Sequence, residues 1–456
     1  MTVRTVLLTG AMAGALAVGS APFAPPAAAQ TADPATTPVP AGATAAPNAL
    51  AARRPPLIDA SAAAVYEPVT GDLVFAYHAS GRRPIASTTK LMTAYVVLNR
   101  VPLGRVFASP GYAPSFSDES LINLRAGERM TVADLLRGLL LGSGNDAAVD
   151  LAINTGGSEG AFVAMMNRSA RALGLRHTHY TNPIGLDAPG NYSSPYDLVR
   201  LAATLRGRPW FARTVDRPSA LLHSNRGGHF VTNKNDLVRQ VGFVNGVKTG
   251  HTPSAGYCLV GSATRNGVTM ISAVLGDPSA YARNADTLAL LRFGLSRYRS
   301  YTAFGTADVL ATAKVRYRES TTVGLVPARA FSTVVRRGER RPQVVVHAPK
   351  KLTGPLPAGH KVGYVGVVYR GRVIARVPLL TRAKVPEVGP IQRAVTFISR
   401  PGTLAVALLL ALAILLIVRR RGGGGRAGSR DHHRHTQRRD RQDPGGPELP
   451  ARPPAP

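Results

Sequence analysis

The chain has a single cysteine, Cys258. No internal disulfide is possible, so an exported fold of this sequence must rest on its core. Cys258 stands in an apolar run, Tyr257-Cys258-Leu259-Val260, and reads as packing and not as a nucleophile. Acidic residues are scarce too: 25 Asp and Glu face 56 Lys and Arg, a formal net charge of +31. Such a surplus suits nucleic acid or an anionic surface. Arginine is spread along the whole chain and no basic–aromatic repeat or recognisable nucleic-acid module appears, so the surplus points to an anionic wall or membrane surface. Residues 30–56 have almost no aromatics or large aliphatics; their Ala, Pro and Thr make a disordered spacer. Residues 403–418 carry no charge at all.

Both ends of the chain speak for export. Arg4, an apolar run from Val6 to Val18 and the close Pro26-Ala27-Ala28-Ala29-Gln30 describe a signal peptide over 1–29. Near the other end, the run from Pro401 to Val418 would be roughly 27 Å long as a helix, enough to cross a bilayer. Arg419-Arg420-Arg421 follows directly, so the basic tail 419–456 should be cytoplasmic and everything before Pro401 outside. The other reading of that run, a buried helix of a soluble protein, fits neither its unbroken apolar length nor the three arginines.

At 456 residues the chain has room for two or three domains. Residues 62–66 and 70–77 read as a hairpin, and Leu121–Leu124 as a strand. Helices are expected over Val132–Leu141, capped by Thr131, and over Asp146–Ile153, Gly160–Leu173, Pro195–Leu205 and Ala280–Ser296. Strands are expected over 246–250, 256–263 and 268–275. A helical cluster between an early hairpin and late strands implies an α+β fold with an antiparallel sheet, not a βαβ array. Residues 306–385 alternate in hydropathy, carry no reactive cluster, and read as a small all-β module.

The chemistry begins at Ala86-Ser87-Thr88-Thr89-Lys90. Residues three apart share a helix face, so the Lys90 amine can reach the Ser87 hydroxyl. A serine is a weak nucleophile until a base takes its proton, and a lysine is such a base only when burial or another cation lowers its pKa. Ser-x-x-Lys alone is common. Here it is followed, in order, by Ser143-Gly144-Asn145 and Lys248-Thr249-Gly250. Ser-x-x-Lys, then Ser-Asp-Asn, then Lys-Thr-Gly is the ordered signature of penicillin-binding proteins and class A β-lactamases; here the middle triplet is Ser-Gly-Asn.

On these blocks, with Asn182-Pro183-Ile184-Gly185-Leu186-Asp187 and Tyr192-Ser193, the chain resembles the low-molecular-mass penicillin-binding proteins. These are serine D-alanyl-D-alanine carboxypeptidases of the DacA, or penicillin-binding protein 5, type. The likeness covers about residues 57–385. It implies a β-lactamase/transpeptidase-like catalytic domain over 57–305, a β-rich domain over 306–385, a linker 386–400 and the membrane helix 401–418. It also implies removal of the terminal D-alanine from peptidoglycan stem peptides, covalent inhibition by β-lactams, and no metal or cofactor. Ser87 would form the acyl ester, Lys90 accept the proton, and Ser143 relay it, with Asn145 holding Lys90 and the substrate. Lys248 would supply the cation that lowers the Lys90 pKa and, with Thr249, bind a terminal carboxylate. Gly250 would leave space for substrate along the strand, and Arg283 aligns with a carboxylate-binding arginine, or is a surface arginine on a helix. The backbone N–H groups of Ser87 and His251 would form the oxyanion hole. Ile184 stands where relatives often carry a polar residue, commonly histidine, so that help in hydrolysis is lacking.

Two competitors remain. A β-lactamase needs a deacylating Glu before the third motif, and the loop 180–194 offers only Asp187, which reads as a brace. A catalytically idle wall-binding or β-lactam-sensing protein would have no use for both lysines and both serines.

Overall fold

The computed structural model describes residues 54–398 and 401–422. The expected signal peptide, nearly all of the spacer and most of the basic tail lie outside the described residues. The chain divides into two compact units, one through Asp308 with 327–346 and 365–377, the other comprising 309–326, 347–364 and the residues from Pro378.

The first unit is α+β, around a five-stranded sheet. Strands β1 (Ala62–Glu67) and β2 (Asp72–Tyr77) form the expected hairpin. The Glu67 carboxylate fixes its turn by accepting from Val69 N–H, Thr70 N–H and the Thr70 hydroxyl. Ala62, Ala63 and Ala64 of β1 are fully buried, small enough for layers to pack closely on both faces of this inner strand. In chain order there follow β3 (Val106–Ala108), β4 (Arg129–Thr131), β5 (Ser219–Ser224) and β6 (Gly227–Thr232), a separate small sheet, then β7 (Val244–Thr252), β8 (Gly256–Arg265) and β9 (Val268–Asp277). The main sheet runs β2-β1-β9-β8-β7, antiparallel throughout.

Helices cover both faces. The cluster α1 (Lys90–Leu98), α2 (Val132–Arg137), α3 (Asn145–Gly156), α4 (Glu159–Ala172) and α5 (Pro195–Arg206) packs an apolar core with Ala64, Ile271, Ala273 and Leu275. The short helices α6 (Pro209–Val215) and α7 (Leu237–Gln240) precede α8 (Ala280–Arg297), whose Leu288, Leu290 and Leu291 close the other face against Val65, Leu259, Met270 and Val274. Hydroxyl caps start four of these helices: Thr131, Ser158, Ser194 and Ser279 accept from the N–H three residues on, which satisfies one orphan donor of the first turn.

Three expectations are corrected. The helix from Val132 is α-helical only to Arg137; Gly138–Gly142 widens into a π-helical turn that ends at Ser143 in a left-handed conformation, φ 63°. Leu121–Leu124 is not a strand, because its amides are held by a side chain instead of a neighbouring strand. Asp146, in the first turn of α3, accepts from Ile122 N–H at 3.0 Å, Leu124 N–H at 2.9 Å and Ala147 N–H at 2.9 Å. The β5–β6 hairpin was not anticipated.

The second unit has an all-β part with a small core of Ala313, Val315, Val323, Leu325, Leu352, Val385 and Val388. Its strand Ala311–Val315 pairs antiparallel with Arg318–Pro327 and parallel with Lys351–Leu352. Where a linker is expected, Pro390–Ile398 is helical, with Ile391, Val395 and Ile398 exposed along it. A long apolar helix, Pro401–Gly422, follows, none of its spanning window buried, as suits a membrane anchor.

Replacing Asp146 by Ala orphans two buried amides, Ile122 and Leu124. The unfolding free energy measured in urea should fall by about 2–4 kcal/mol, and Asp146→Asn, which keeps one acceptor, should fall less.

Candidate active site

A short 3-10 turn, Ala86–Thr89, leads into α1 with no side-chain cap. Ala86 takes a left-handed φ of 45°, a costly conformation for a residue with a Cβ. Thr88 closes the turn by giving both its N–H and its hydroxyl to the Ile85 carbonyl. Ser87 is thereby held above the first residue of α1, and Lys90 Nζ lies 2.8 Å from Ser87 Oγ. The ammonium is fully buried, yet meets two further acceptors, Asn145 Oδ1 at 2.6 Å and the Ile184 carbonyl at 2.8 Å.

The Ile184 carbonyl is aimed by its loop. Asn182 Oδ1 accepts from Ile184 N–H at 3.2 Å and Gly185 N–H at 2.6 Å, while Thr93 on α1 donates to the Pro183 carbonyl at 2.6 Å. Gly185 has φ +93°, and a Cβ there would stand 2.0 Å from the Ala86 carbonyl oxygen. Only glycine lets this loop approach the Ser87 turn so closely. Asp187 ties the same loop to the end of β7, accepting from Thr252 Oγ1 at 2.7 Å and Ser254 N–H at 3.3 Å.

Those contacts fit both charge states of the amine. A lysine ammonium has three donors, one each for Ser87, Asn145 and Ile184. A neutral amine has two N–H bonds, which Asn145 and Ile184 engage because neither acceptor can donate there. Its lone pair is then left facing Ser87 Oγ. Burial pushes Lys90 down to about 7, with the Lys234 charge adding to the shift and Glu119 and Asp146 opposing it. Lys234 is a second cation near Lys90, beside the Lys248 to which the sequence pointed. Lys248 is itself held well below its usual value, by burial first and then by Lys90, Lys234 and Arg283.

Ser87, Ser143, Thr249, Gly250, His251 and Arg283 line one cleft of about 340 Å³, with Lys234 and Tyr257. A second arm, about 590 Å³, runs from Ser87 past Asn145 to Phe116, Asp118, Glu119 and Asp187. Lys248 lies beneath the floor, 1 % exposed, donating to the Thr249 carbonyl at 3.0 Å. Arg283 is buried, not solvated, and its guanidinium donates to Asn284 Oδ1. His251 stacks on Tyr257 with its imidazole pKa lowered by burial and by Arg283. Gly250 lines the cleft, and a Cβ there would lie 3.0 Å from Ser87 N and 3.1 Å from Ala86 Cβ, so the missing side chain also makes room for the Ser87 turn. Cys258 is buried in the core, its thiol pushed up to about 12 by burial.

Sequence reasoning missed three participants. Lys234 follows the unanticipated hairpin and donates to Ser120 Oγ at 3.1 Å. Ile184 enters through its carbonyl, which no side-chain pattern reveals. Glu119 accepts from Asn145 Nδ2 at 2.6 Å; one acid in a polar stretch gave no signal.

The profile of the D-alanyl-D-alanine carboxypeptidase family matches residues 49–279, and that of the penicillin-binding protein 5 C-terminal domain matches 298–387. D-alanyl-D-alanine carboxypeptidase DacD of Escherichia coli is 33 % identical over 73 % of this chain and 89 % of its own length. The DacF enzyme of Bacillus subtilis is 30 % identical over 75 % of this chain and 89 % of its own. The crystal structure of penicillin binding protein 5 from Haemophilus influenzae superposes with a TM-score of 0.54 at 29 % identity, covering 73 % of this chain and 99 % of that one. The fold is that of the serine peptidases, and the site sets a buried lysine amine 2.8 Å from the hydroxyl of a cleft serine. The chain belongs to the D-alanyl-D-alanine carboxypeptidase family of the penicillin-binding protein 5 type, and it is an enzyme.

Gly185→Ala forces a Cβ into the Ala86 carbonyl. A loss of about 3 kcal/mol or more is expected, read as a lower thermal midpoint; an unchanged midpoint would mean the loop does not sit on the Ser87 turn.

Proposed function

We propose that this chain is a serine-type D-Ala-D-Ala carboxypeptidase that removes the terminal D-alanine from peptidoglycan stem pentapeptides through an acyl ester on Ser87. One observation carries the reading: the Ser87 hydroxyl lies 2.8 Å from a buried lysine amine, at the foot of a cleft whose other wall holds Lys234, Thr249 and Arg283. Neutral Lys90 takes the Ser87 proton as Oγ attacks the carbonyl between the two D-alanines. The N–H groups of Ser87 and His251 receive the oxyanion. The proton passes from Lys90 through Ser143 to the leaving amine, and D-alanine departs. Asn145 keeps Lys90 in place, and Lys234, Thr249 and Arg283, which line the cleft, provide charge and a hydroxyl for the substrate's terminal carboxylate, with Lys248 lying beneath them. Water then hydrolyses the ester and regenerates Ser87. A β-lactam enters by the same attack, its ring-opened acyl group staying on Ser87.

The β-lactamase alternative is not favoured. The loop 180–194 has no Glu, and both oxygens of Asp187 are engaged by Thr252 and Ser254. An idle site is not favoured either, since the lysine–serine–asparagine contacts are all made. The same proposal places a signal peptide at 1–29, a spacer at 30–56, the catalytic domain at 57–305, the β-rich domain at 306–385 and the anchor at 401–418. The catalytic domain then works outside the membrane, with the tail 419–456 inside.

Ser87→Ala should abolish both labelling by a fluorescent penicillin and release of D-alanine from a pentapeptide stem; labelling that survives places the nucleophile elsewhere. Because only neutral Lys90 can accept a proton, acylation by penicillin should rise with pH through about 7. Below that point the rate should drop about tenfold per pH unit, and a flat profile would exclude Lys90 as the base.

A further inference from the structure

The Asn145 amide is clamped from both sides. Its Oδ1 accepts from Lys90 at 2.6 Å, and its Nδ2 donates to Glu119 Oε2 at 2.6 Å. The same carboxylate accepts three more hydrogen bonds. Tyr112 donates its hydroxyl to Oε2; the Ser115 and Phe116 N–H groups donate to Oε1 at 2.6 and 3.2 Å. Glu119 lines the arm of the cleft that also holds Ser87 and Asn145.

We propose that Glu119 is a positioning residue of this site, fixing which atom of the Asn145 amide faces the Lys90 amine and folding the 112–119 segment against the motif asparagine. This rests on the acylation reading above.

The argument is one of acceptor counting. An asparagine amide has one acceptor end and one donor end, and nothing in its shape tells them apart. Four donors converge on Glu119, and only an ionised carboxylate accepts at both oxygens. Burial opposes ionisation here, but the bonds from Tyr112, Asn145, Ser115 and Phe116 outweigh it and hold the carboxyl below its ordinary value. With Nδ2 committed to Glu119, Oδ1 must face Lys90. Were the amide reversed, an N–H would meet the lysine N–H bonds, and the amine would lose one of the two acceptors that aim its lone pair at Ser87.

Glu119 also acts on Lys90 through charge. The charged groups that face Lys90 are Glu119 on its segment, Asp146 on α3, Lys234 after β6 and Lys248 on β7. The two acids favour the ammonium and Lys234 disfavours it. Glu119 thus raises the pH at which Lys90 becomes a base, while holding it ready to act.

Two variants separate these effects. In Glu119→Gln the amide nitrogen cannot accept. The Ser115 and Phe116 amides belong to the chain and cannot turn round, so the side-chain nitrogen faces Tyr112 and Asn145. The tyrosine hydroxyl can rotate to accept; Asn145 must reverse. In Glu119→Asp the charge stays, but the shorter side chain cannot span from the 115–116 amides to Asn145.

The test is the second-order rate of Ser87 acylation by a fluorescent penicillin, measured on the full-length protein in detergent between about pH 5 and about pH 9. For Glu119→Gln the acid limb should move to lower pH by about half a pH unit or more, and the plateau should fall about tenfold or more. For Glu119→Asp the plateau should fall while the limb stays at the wild-type position. A merely structural Glu119 would lower both variants alike at every pH without moving the limb, and that result overturns the proposal. So does a Glu119→Gln profile that matches wild type. Should Glu119→Gln fail to fold, Glu119→Ala takes its place: a lowered plateau with the limb moved to lower pH upholds the proposal, and an unmoved limb or an undiminished plateau overturns it. Failure of the acylation reading looks different, since wild-type protein would then not be labelled.

Discussion

A lysine amine without water is the constraint on which this catalytic unit depends. Lys90 is fully buried, and a buried cation is costly unless its donors are matched. Three acceptors match them, from three separate parts of the chain: Ser87 in its own turn, Asn145 at the start of α3, and the Ile184 carbonyl on the loop before α5. Because the amine sits near neutrality, it can occupy either charge state without a large reorganisation of those partners. A solvated lysine in the same place would stay protonated and could take nothing from a serine.

Holding the acceptors to tenths of an ångström requires a rigid frame and close backbone approaches. The frame is the antiparallel sheet, whose β7 passes directly under the Ser87 turn. At Gly250 the turn comes so near that a single Cβ would press on the Ser87 amide. On the opposite side Gly185 lets the 182–187 loop touch Ala86. Strain gathers at the same spot: Ala86 and Ser143 both hold left-handed φ values although both carry a Cβ. Such conformations persist only where surrounding structure over-determines them. Here the bonds of Thr88, Asn182 and Asp146 do so. The separation of labour is plain. Packing of Ala62–Ala64 between helical layers supplies stability, and that stability is drawn upon to hold a tense turn.

What the sequence made legible was what chemistry demands of side-chain type. Ser87, Lys90, Ser143, Asn145, Lys248 and Thr249 stand in an order that chance seldom produces, and the main strands and helices followed from hydropathy period. The rest was hidden for identifiable reasons. Leu121–Leu124 alternates like a strand, but its amides are satisfied by a carboxylate from Asp146, a long-range contact that no local pattern records. The run Leu139–Leu141 looks like continued α-helix, yet the chain widens there to set Ser143 and Asn145 at the cleft. Ile184 looked like a loss, judged by its side chain, whereas its carbonyl is one of the three supports of the amine. Lys234 and Glu119 are single charged residues in polar stretches, and only coordinates tell which such residues turn inward.

Ile184 also bears on the second half of the proposed reaction. Its side chain is apolar and 7 % exposed, so it offers no proton acceptor to an incoming water. Asp187 is engaged at both oxygens by Thr252 and Ser254. His251 is stacked on Tyr257 with its imidazole biased toward the neutral form. Once Ser87 is esterified and the leaving amine has carried off the proton, Lys90 is neutral again and still gripped by Asn145 and Ile184. Its lone pair then points at the ester oxygen, beside the carbonyl that water must attack. The acceptor pair that readies the lysine for acylation therefore readies it for hydrolysis as well, and the absence of a helper at position 184 places both proton transfers on one amine. On this view the features that keep Lys90 dry and oriented govern how long an acyl group stays on Ser87, as well as how fast it arrives.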